Sequence, residues 1–287
     1  SFLTFVGCLA AFGQSTTVTK IAAGHPHSIF LKSDGSLWGM GANYYGQLGD
    51  GSTNDSIWPR QIISSNVVAI AAGDLHSLFI KSDGSLWTMG WNAYGQLGDG
   101  STTNHHSPVR IVSSNVTTVV AGGFHSLFLK SDGSLWAMGW NASGQLGDGT
   151  VGDRNIPVQI ISSNVVAIAA GWEHSLFVKS DGSLWAMGMN YAGQLGNGTP
   201  SPYINTPEQI ISSGVSAICG GEAHSLLIKS NGSLWAMGAN NRGQLGNGTT
   251  TPTFRPEQIV PSNVVAIAVG VDHSLFLKTD GSLWGMG

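Results

Sequence analysis

The sequence predicts an all-β protein, a β-propeller of four-stranded blades, and three observations support this prediction. The first is a repeat, since six histidines recur at steps of 49, 49, 49, 50 and 49 residues: His27, His76, His125, His174, His224 and His273. A period of this size is typical of solenoids and propellers. The second is a β-hairpin signal in every repeat. The third is a glycine content of 41 in 287 residues, which fits many short strands and turns.

The hairpin signal is an Asp-Gly or Asn-Gly dipeptide between two apolar runs, as at Asp181-Gly182. A type I′ turn needs φ > 0 at both central residues, which Asp, Asn and Gly tolerate best. A turn centred there pairs Val178 with Trp185 and places Phe177 on the opposite face of the hairpin. Both faces are apolar, so the sheet must be covered on both sides. Sheets stacked around an axis, as in a propeller, meet this requirement.

Each repeat contains four strand signals. We name them A (Ser-Leu-Trp-x-Met), B (Pro-x-Gln-Ile), C (Val-Val-Ala-Ile-Ala) and D (His-Ser-Leu-Phe-x-Lys). Five repeats are complete, and the chain enters at a strand C over 18–23 and reaches a sixth strand A. Five whole blades plus the terminal strands C, D and A make six blades at most. No sixth strand B is visible unless the first residues supply it.

Residues 1–15 match no part of the repeat, and we interpret them as a truncated signal peptide ahead of a propeller repeat domain over 16–287. The apolar run 2–12 has the length of a signal-peptide core and is too short to span a bilayer. Small residues before Gln14 suit cleavage there. An extra strand packed on the ring is the alternative, and Cys8 loosely resembles a lipoprotein acylation site. The predicted location is secreted or cell-surface, with no membrane span.

Two stretches carry a family resemblance: Leu-Trp-Ala-Met-Gly-Trp-Asn-Ala-Ser-Gly-Gln-Leu-Gly-Asp-Gly at 135–149 and Ala-Ala-Gly-Trp-Glu-His-Ser-Leu at 169–176. The repeats over 16–287 resemble those of the regulator of chromosome condensation family, and the leader favours a secreted bacterial-type member. The resemblance implies a seven-bladed ring of four-stranded blades. Because only six blades can be counted, we interpret the chain as a fragment of a seven-bladed ring, with a shorter six-bladed ring as the alternative.

Charge and motifs exclude several classes of function. The net charge is −4 with 12 Lys and Arg, which argues against a nucleic-acid partner because such proteins concentrate basic residues on one face. Each recurring histidine precedes a serine, and we interpret it as a structural hydrogen bond that ties strand D to its neighbour. His25, His105 and His106 fall outside this pattern, but metal sites need several converging ligands. No catalytic residue, metal site or cofactor is predicted.

The loops of the repeat divide into two groups. In an up-and-down blade, loops A–B and C–D lie at one end, and loops B–C and D–A lie at the other. The B–C and D–A loops are nearly uniform, whereas the A–B and C–D loops vary and concentrate aromatic rings with a few charges, a composition typical of interaction hot spots. The predicted partner-binding residues are Tyr44, Tyr45, Asp74, Trp91, Tyr94, Phe124, Trp140, Trp172, Glu173, Tyr191, Glu222, Arg242 and Asp272.

The sequence therefore predicts a secreted or surface-attached, non-catalytic propeller that binds a protein partner of unknown identity through its aromatic-rich loop face. About half of these rings are expected to pack against neighbouring blades, with Trp91 and Trp140 the most buried. The alternative is an enzyme or inhibitor-type module that uses the rim or the central channel. Titratable groups converging in the channel would favour an enzyme.

Overall fold

The structure is a computed structural model that describes residues 16–287. All its regular elements are strands, which form six antiparallel sheets, five with four strands and one with three. Five complete blades and a sixth made of strands C, D and A are confirmed. A seventh blade, which the family resemblance alone implied, has no counterpart in the described range, and the six-blade alternative is the one that matches it.

The strands of each blade pair in chain order, C–D–A–B. Blade 1 comprises β1 (Val18–Ala23), β2 (His27–Lys32), β3 (Leu37–Gly41) and β4 (Ser56–Ile63); blade 2 comprises β5 (Val67–Ala72), β6 (His76–Lys81), β7 (Leu86–Gly90) and β8 (His105–Val112); blade 3 comprises β9 (Val116–Ala121), β10 (His125–Lys130), β11 (Leu135–Gly139) and β12 (Arg154–Ile161). Blade 4 comprises β13 (Val165–Ala170), β14 (His174–Lys179), β15 (Leu184–Met189) and β16 (Tyr203–Ile211); blade 5 comprises β17 (Val215–Gly220), β18 (His224–Lys229), β19 (Leu234–Gly238) and β20 (Thr253–Val260); blade 6 comprises β21 (Val264–Val269), β22 (Ser274–Lys278) and β23 (Leu283–Met286).

The hairpin between strands D and A closes one residue away from the predicted register. Phe177 pairs with Trp185, and the turn is closed by a 2.8 Å hydrogen bond from Gly182 N to Lys179 O. Gly182 has φ +78°, whereas φ of Asp181 is not positive, so the turn is type I followed by a glycine bulge instead of type I′. A one-residue slip moves a strand's side chains to the other face, and Trp185 therefore shares a face with Phe177, not with Val178.

Both faces of the inner strands are nevertheless buried, as the apolar pattern predicts. Leu127 and Leu135 of blade 3 pack against Phe177 and Met187 of blade 4, and all four side chains are fully buried. Trp185 is only half-buried and stacks on Phe177 with ring centroids 6.1 Å apart. The core is thus a series of blade-to-blade layers, with each tryptophan of strand A at the edge of a layer.

The recurring histidines tie each blade to the next, which confirms their structural interpretation. Nε2 of His125 lies 2.9 Å from Oγ of Ser175 in the following blade, and that hydroxyl donates its own proton to the carbonyl oxygen of Gln145 at 2.8 Å. Because the serine proton is already used, the imidazole must be the donor, with its proton on Nε2. The same bond joins His27 to Ser77, His76 to Ser126, His174 to Ser225 and His224 to Ser274.

The junction between blades 6 and 1 differs from the other five. His273 is exposed and, within the described range, makes no such bond to Ser28. Leu283 of blade 6 is 68% exposed, whereas Leu234, its equivalent in blade 5, is fully buried. Ile21 of blade 1 is 81% exposed. Two apolar sheet faces are therefore left without a covering blade among residues 16–287.

We expect the chain to self-associate through these two faces, because exposed apolar sheet faces seek partners. Leu283→Lys combined with Ile21→Lys should lower the average mass measured by sedimentation velocity. Val151→Lys is the matched control, since Val151 is also exposed, at 45%, but lies in an A–B loop. A wild-type chain that stays a monodisperse monomer and unfolds in one sharp transition would contradict this expectation.

Candidate functional site

The variable loops lie together at one end of the propeller, which we call the loop face. Loop A–B of each complete blade is hydrogen-bonded to loop C–D of the same blade, as in the bond from Trp91 N to Leu75 O at 2.9 Å and that from Trp140 N to Phe124 O at 3.0 Å. The opposite end, which we call the uniform end, holds the D–A hairpins and the B–C turns. Each B–C turn needs positive φ, supplied by Asn at 68° or by Gly214 at 81°.

A buried asparagine holds every A–B loop in one shape. In blade 2, Oδ1 of Asn92 accepts the Leu97 amide at 2.9 Å and its Nδ2 donates to Asp99 at 3.1 Å. The equivalent asparagines of the other complete blades are Asn43, Asn141, Asn190 and Asn240, and all are fully buried. The loop backbone therefore depends on the asparagine, and the residues beside it are free to vary.

Seven variable side chains form one connected cluster of rings, which we call the aromatic arc. Its members are Tyr44, Tyr45, Trp91, Tyr94, Phe124, Trp140 and Trp172. Neighbouring ring centroids lie 4.9–5.9 Å apart, within the range of favourable aromatic contacts. The arc crosses four blades, and all its rings except the exposed Tyr44 are half-buried. Trp91 and Trp140 are partly buried, as predicted, but so are the other four.

The predicted acidic residues lie on the C–D loops of blades 2, 4, 5 and 6. Asp74 faces His25 across 3.8 Å, and burial raises the pKa of the Asp74 carboxyl although the histidine opposes this. Burial also raises the pKa of Glu173, with the charge of Glu222 adding to the effect, while a 2.8 Å hydrogen bond from Ser143 Oγ to Glu173 Oε2 works against it. These carboxylates are poorly hydrated for side chains at a surface.

A central cavity of about 380 Å³ opens between the blades. Its wall is mostly glycine and alanine from strands C, with His25, Asp74, Trp172 and Glu222 among its other side chains. The glycines are required by close packing, since a Cβ added at Gly122 would lie 2.5 Å from the carbonyl oxygen of the equivalent glycine in the next blade. Among residues 16–287, no serine, threonine, cysteine, lysine or tyrosine lines the cavity.

The structure does not bring all predicted site residues together. Tyr191 is 70% exposed and joins none of the ring pairs of the arc. Glu222, Arg242 and Asp272 line a second depression between blades 5 and 6, apart from the arc. Two residues missed by the sequence analysis belong beside the site, His25 and Ser143. His25 was visible as a histidine outside the repeat, but a cross-blade contact such as that of Ser143 leaves no signal in the sequence.

Two further properties of the described range bear on the site. Among residues 16–287, no three His, Cys, Asp or Glu side chains are arranged as metal ligands. His105, one of the histidines outside the repeat pattern, lies with Nε2 2.6 Å from Oδ2 of Asp99. The same range contains no helix with the length and apolar character that a membrane crossing requires.

Comparison with known proteins identifies the repeat. The family model of the regulator of chromosome condensation (RCC1) repeat matches residues 34–80, 83–129, 132–178, 181–228 and 231–277. A second family model of the same repeat matches five segments between residues 18 and 244, each of which overlaps matches of the first. A Caenorhabditis elegans X-linked retinitis pigmentosa GTPase regulator homolog is 50% identical over 44 residues. That match covers 15% of this chain and only 3% of the relative.

Solved structures share the architecture. Human WBSCR16 superimposes with a TM-score of 0.84 at 26% identity, over 96% of this chain and 77% of that chain. Yeast RCC1 (Prp20), crystallised with Kap60, superimposes with a TM-score of 0.82 at 22% identity, over 93% of this chain and 69% of that chain. The second likeness shows the fold alone.

Proposed function

This chain belongs to the regulator of chromosome condensation (RCC1) repeat family. We propose that it is a secreted or surface-attached, non-catalytic propeller that binds a protein partner through its loop face. Propellers of this family commonly mediate protein binding. Yeast RCC1 (Prp20) is known bound to Kap60, and Prp20p has been studied for binding to Gsp1p and histones. These relatives support the class of function and not the identity of the partner.

The observation that carries the proposal is the aromatic arc. Aromatic residues dominate binding hot spots because they bury a large area at a low cost in side-chain entropy. The rings of the arc already contact one another, so little further freedom is lost when a partner covers them. A connected patch of half-exposed rings on one face of a protein is typical of an interaction surface.

Titratable groups do converge on the cavity, since His25, Asp74, Glu222 and His273 line it, and this is the observation that favours the enzyme alternative. The His25–Asp74 pair is the arrangement there that comes closest to catalytic machinery, at 3.8 Å. At that distance the imidazole and the carboxylate are not hydrogen-bonded, so the histidine lacks the oriented partner that nucleophilic catalysis uses, and this geometry supports a non-catalytic propeller. The apolar run at 2–12 supports the proposed location. Sequencing the N-terminus of the protein recovered from culture medium would test it.

Tyr94→Ala and Trp172→Ala are each expected to weaken partner binding by about 2 kcal/mol or more, because each removes a ring from the arc. Affinity capture with the wild-type chain supplies the partner, and titration calorimetry measures the affinities. Both variants should keep the wild-type thermal transition to within a few degrees, since Trp172 and Tyr94 are only half-buried.

The matched control is Asp181→Asn at the uniform end. The chain already carries Asn231 in the equivalent position of blade 5, where its Oδ1 accepts the Ser233 amide as Asp181 accepts that of Ser183. This variant should bind the partner as the wild type does. Equal losses at both ends of the propeller, or a loss in the control alone, would mean that the loop face is not the binding surface.

A further inference from the structure

The mouth of the central cavity combines carboxylates with an indole ring. We call the side chains of His25, Asp74, Trp172 and Glu222 the channel mouth; they come from the C–D loops of four different blades and line one cavity. Backbone hydrogen bonds hold these loops in place, as in the bond from Trp172 N to Gly221 O at 3.2 Å. Glycine and alanine form most of the remaining wall, so the cavity has few side chains that could fill it.

Cations are scarce around the channel mouth. Six of the seven lysines lie beside the hairpins of the uniform end, where each Nζ lies over a tryptophan ring at 3.9–4.4 Å. Arg60 and Arg154 are paired with Asp50 and Asp148. Among the charged residues predicted for the loop face, Arg242 alone is a cation, against the four carboxylates of Asp74, Glu173, Glu222 and Asp272. With the histidines neutral, this set carries four negative charges and one positive charge.

One of these carboxylates is both buried and short of hydrogen bonds. The Asp74 side chain is 11% exposed, and its Oδ1 accepts no hydrogen bond from any described residue. His25 Nδ1, at 3.8 Å, is too distant for a hydrogen bond. A carboxylate that is shielded from water and lacks hydrogen-bond donors is stabilised when a cation with N–H groups binds to it.

We propose that the channel mouth receives an arginine or lysine side chain from a basic loop of the protein partner, an inference that rests on the function proposed above. The indole of Trp172 offers the face that attracts a cation, and Asp74 and Glu222 offer charge-assisted hydrogen bonds. Trp172 is also the last ring of the aromatic arc, in contact with Phe124 at 5.5 Å. A loop that protrudes from a partner covering the arc therefore lies over the channel mouth. There the carboxylates favour a loop that carries positive charge.

The test uses two peptides as probes, acetyl-Gly-Gly-Arg-Gly-Gly-amide and the same peptide with citrulline, the neutral isostere of arginine. Binding to the full chain is followed by the NMR shift of the Trp172 indole N–H, which is assigned with Trp172→Phe. We expect the arginine peptide to bind at least about tenfold more tightly than the citrulline peptide. This preference should shrink as salt is raised, because salt screens the exposed carboxylate of Glu222.

Two variants separate the channel mouth from the overall charge of the protein. Asp74→Asn combined with Glu222→Gln should abolish the preference for arginine, whereas Asp181→Asn, which removes a negative charge at the uniform end, should preserve it. Equal binding of both peptides, binding of neither, or a preference that survives in the double variant would overturn the inference.

None of these outcomes bears on the aromatic arc, whose variants are tested by their affinity for the partner itself. Normal partner binding by Tyr94→Ala would refute the proposed function even if the peptides are discriminated.

Discussion

Phe177→Ala is expected to lower the free energy of unfolding by about 3–5 kcal/mol, because it empties the centre of a blade-to-blade layer. Phe177 is fully buried and packs with Leu127, Leu135 and Met187. Trp185→Ala is expected to cost less, although the deleted ring is larger. That ring is half-buried, so part of the surface it loses was already in water.

Urea denaturation of the two variants measures these losses. Phe177→Leu is the matched control, because the chain itself has Leu227 at the equivalent position of blade 5, where it pairs with Trp235 as Phe177 pairs with Trp185. It should cost no more than about 1.5 kcal/mol, as a change between apolar residues of similar size. A larger loss for Trp185→Ala than for Phe177→Ala would show that the tryptophan, and not the phenylalanine, fills the layer.

Much of the fold could be predicted because the repeat supplies the same information several times. The first strand C was predicted over 18–23 and is found at Val18–Ala23. The histidine of strand D was interpreted as a structural tie, and it forms the same bond at five junctions. A side chain that recurs at the same position in every blade is better explained by a packing role than by catalysis, because catalysis would need only one site.

The hairpin register was predicted wrongly for a physical reason. An Asp-Gly dipeptide supports a type I′ turn, in which both residues are central, but also a type I turn in which Gly is the bulge that follows. Ser180 and Asp181 occupy the centre of the observed turn, and Gly182 has φ +78°. Alternation cannot separate these registers here, because both faces of the hairpin are apolar.

The candidate site was predictable as a set of residues but not as a geometry. Variation between copies identified the loops that carry Tyr94, Trp140 and Trp172. Which rings touch depends on the distance between neighbouring blades, and the contact of Tyr94 with Trp140, at 5.9 Å, joins two blades. The same limitation hid the bond between Ser143 and Glu173, which are 30 residues apart.

Acid is expected to unfold this protein about one pH unit above the range in which ordinary carboxylates titrate. Burial lowers the pKa of His76, His125 and His174 to about 3 and that of His27 and His224 to about 4. In the unfolded chain each titrates near 6.5. Above that pH neither state is protonated, and the contribution of these histidines to stability is complete. Below it the unfolded state takes up protons that the folded state refuses, so stability falls as the pH falls from about 6.5 towards 3.

The size of this effect follows from the number of histidines. Each proton taken up only by the unfolded state costs about 1.4 kcal/mol per pH unit, so five cost about 7 kcal/mol per unit once all are protonated. Asp74 and Glu173, whose pKa values are raised by burial, act in the opposite direction but are fewer. A stability of about 5–15 kcal/mol at neutral pH would be exhausted within about one to two units below 6.5. We therefore expect an unfolding midpoint near pH 5, measured by circular dichroism.

His125→Gln isolates one of the five protons. Glutamine carries an amide N–H that can reach Ser175 Oγ in place of the imidazole, which donates to it across 2.9 Å, and it does not titrate. The slope of unfolding free energy against pH, taken from urea melts between pH 6.5 and 5, should fall by about one proton in this variant. It should fall by about two protons in the double variant with His76→Gln. Unchanged slopes in both variants would show that the buried histidines are not the source of the acid sensitivity.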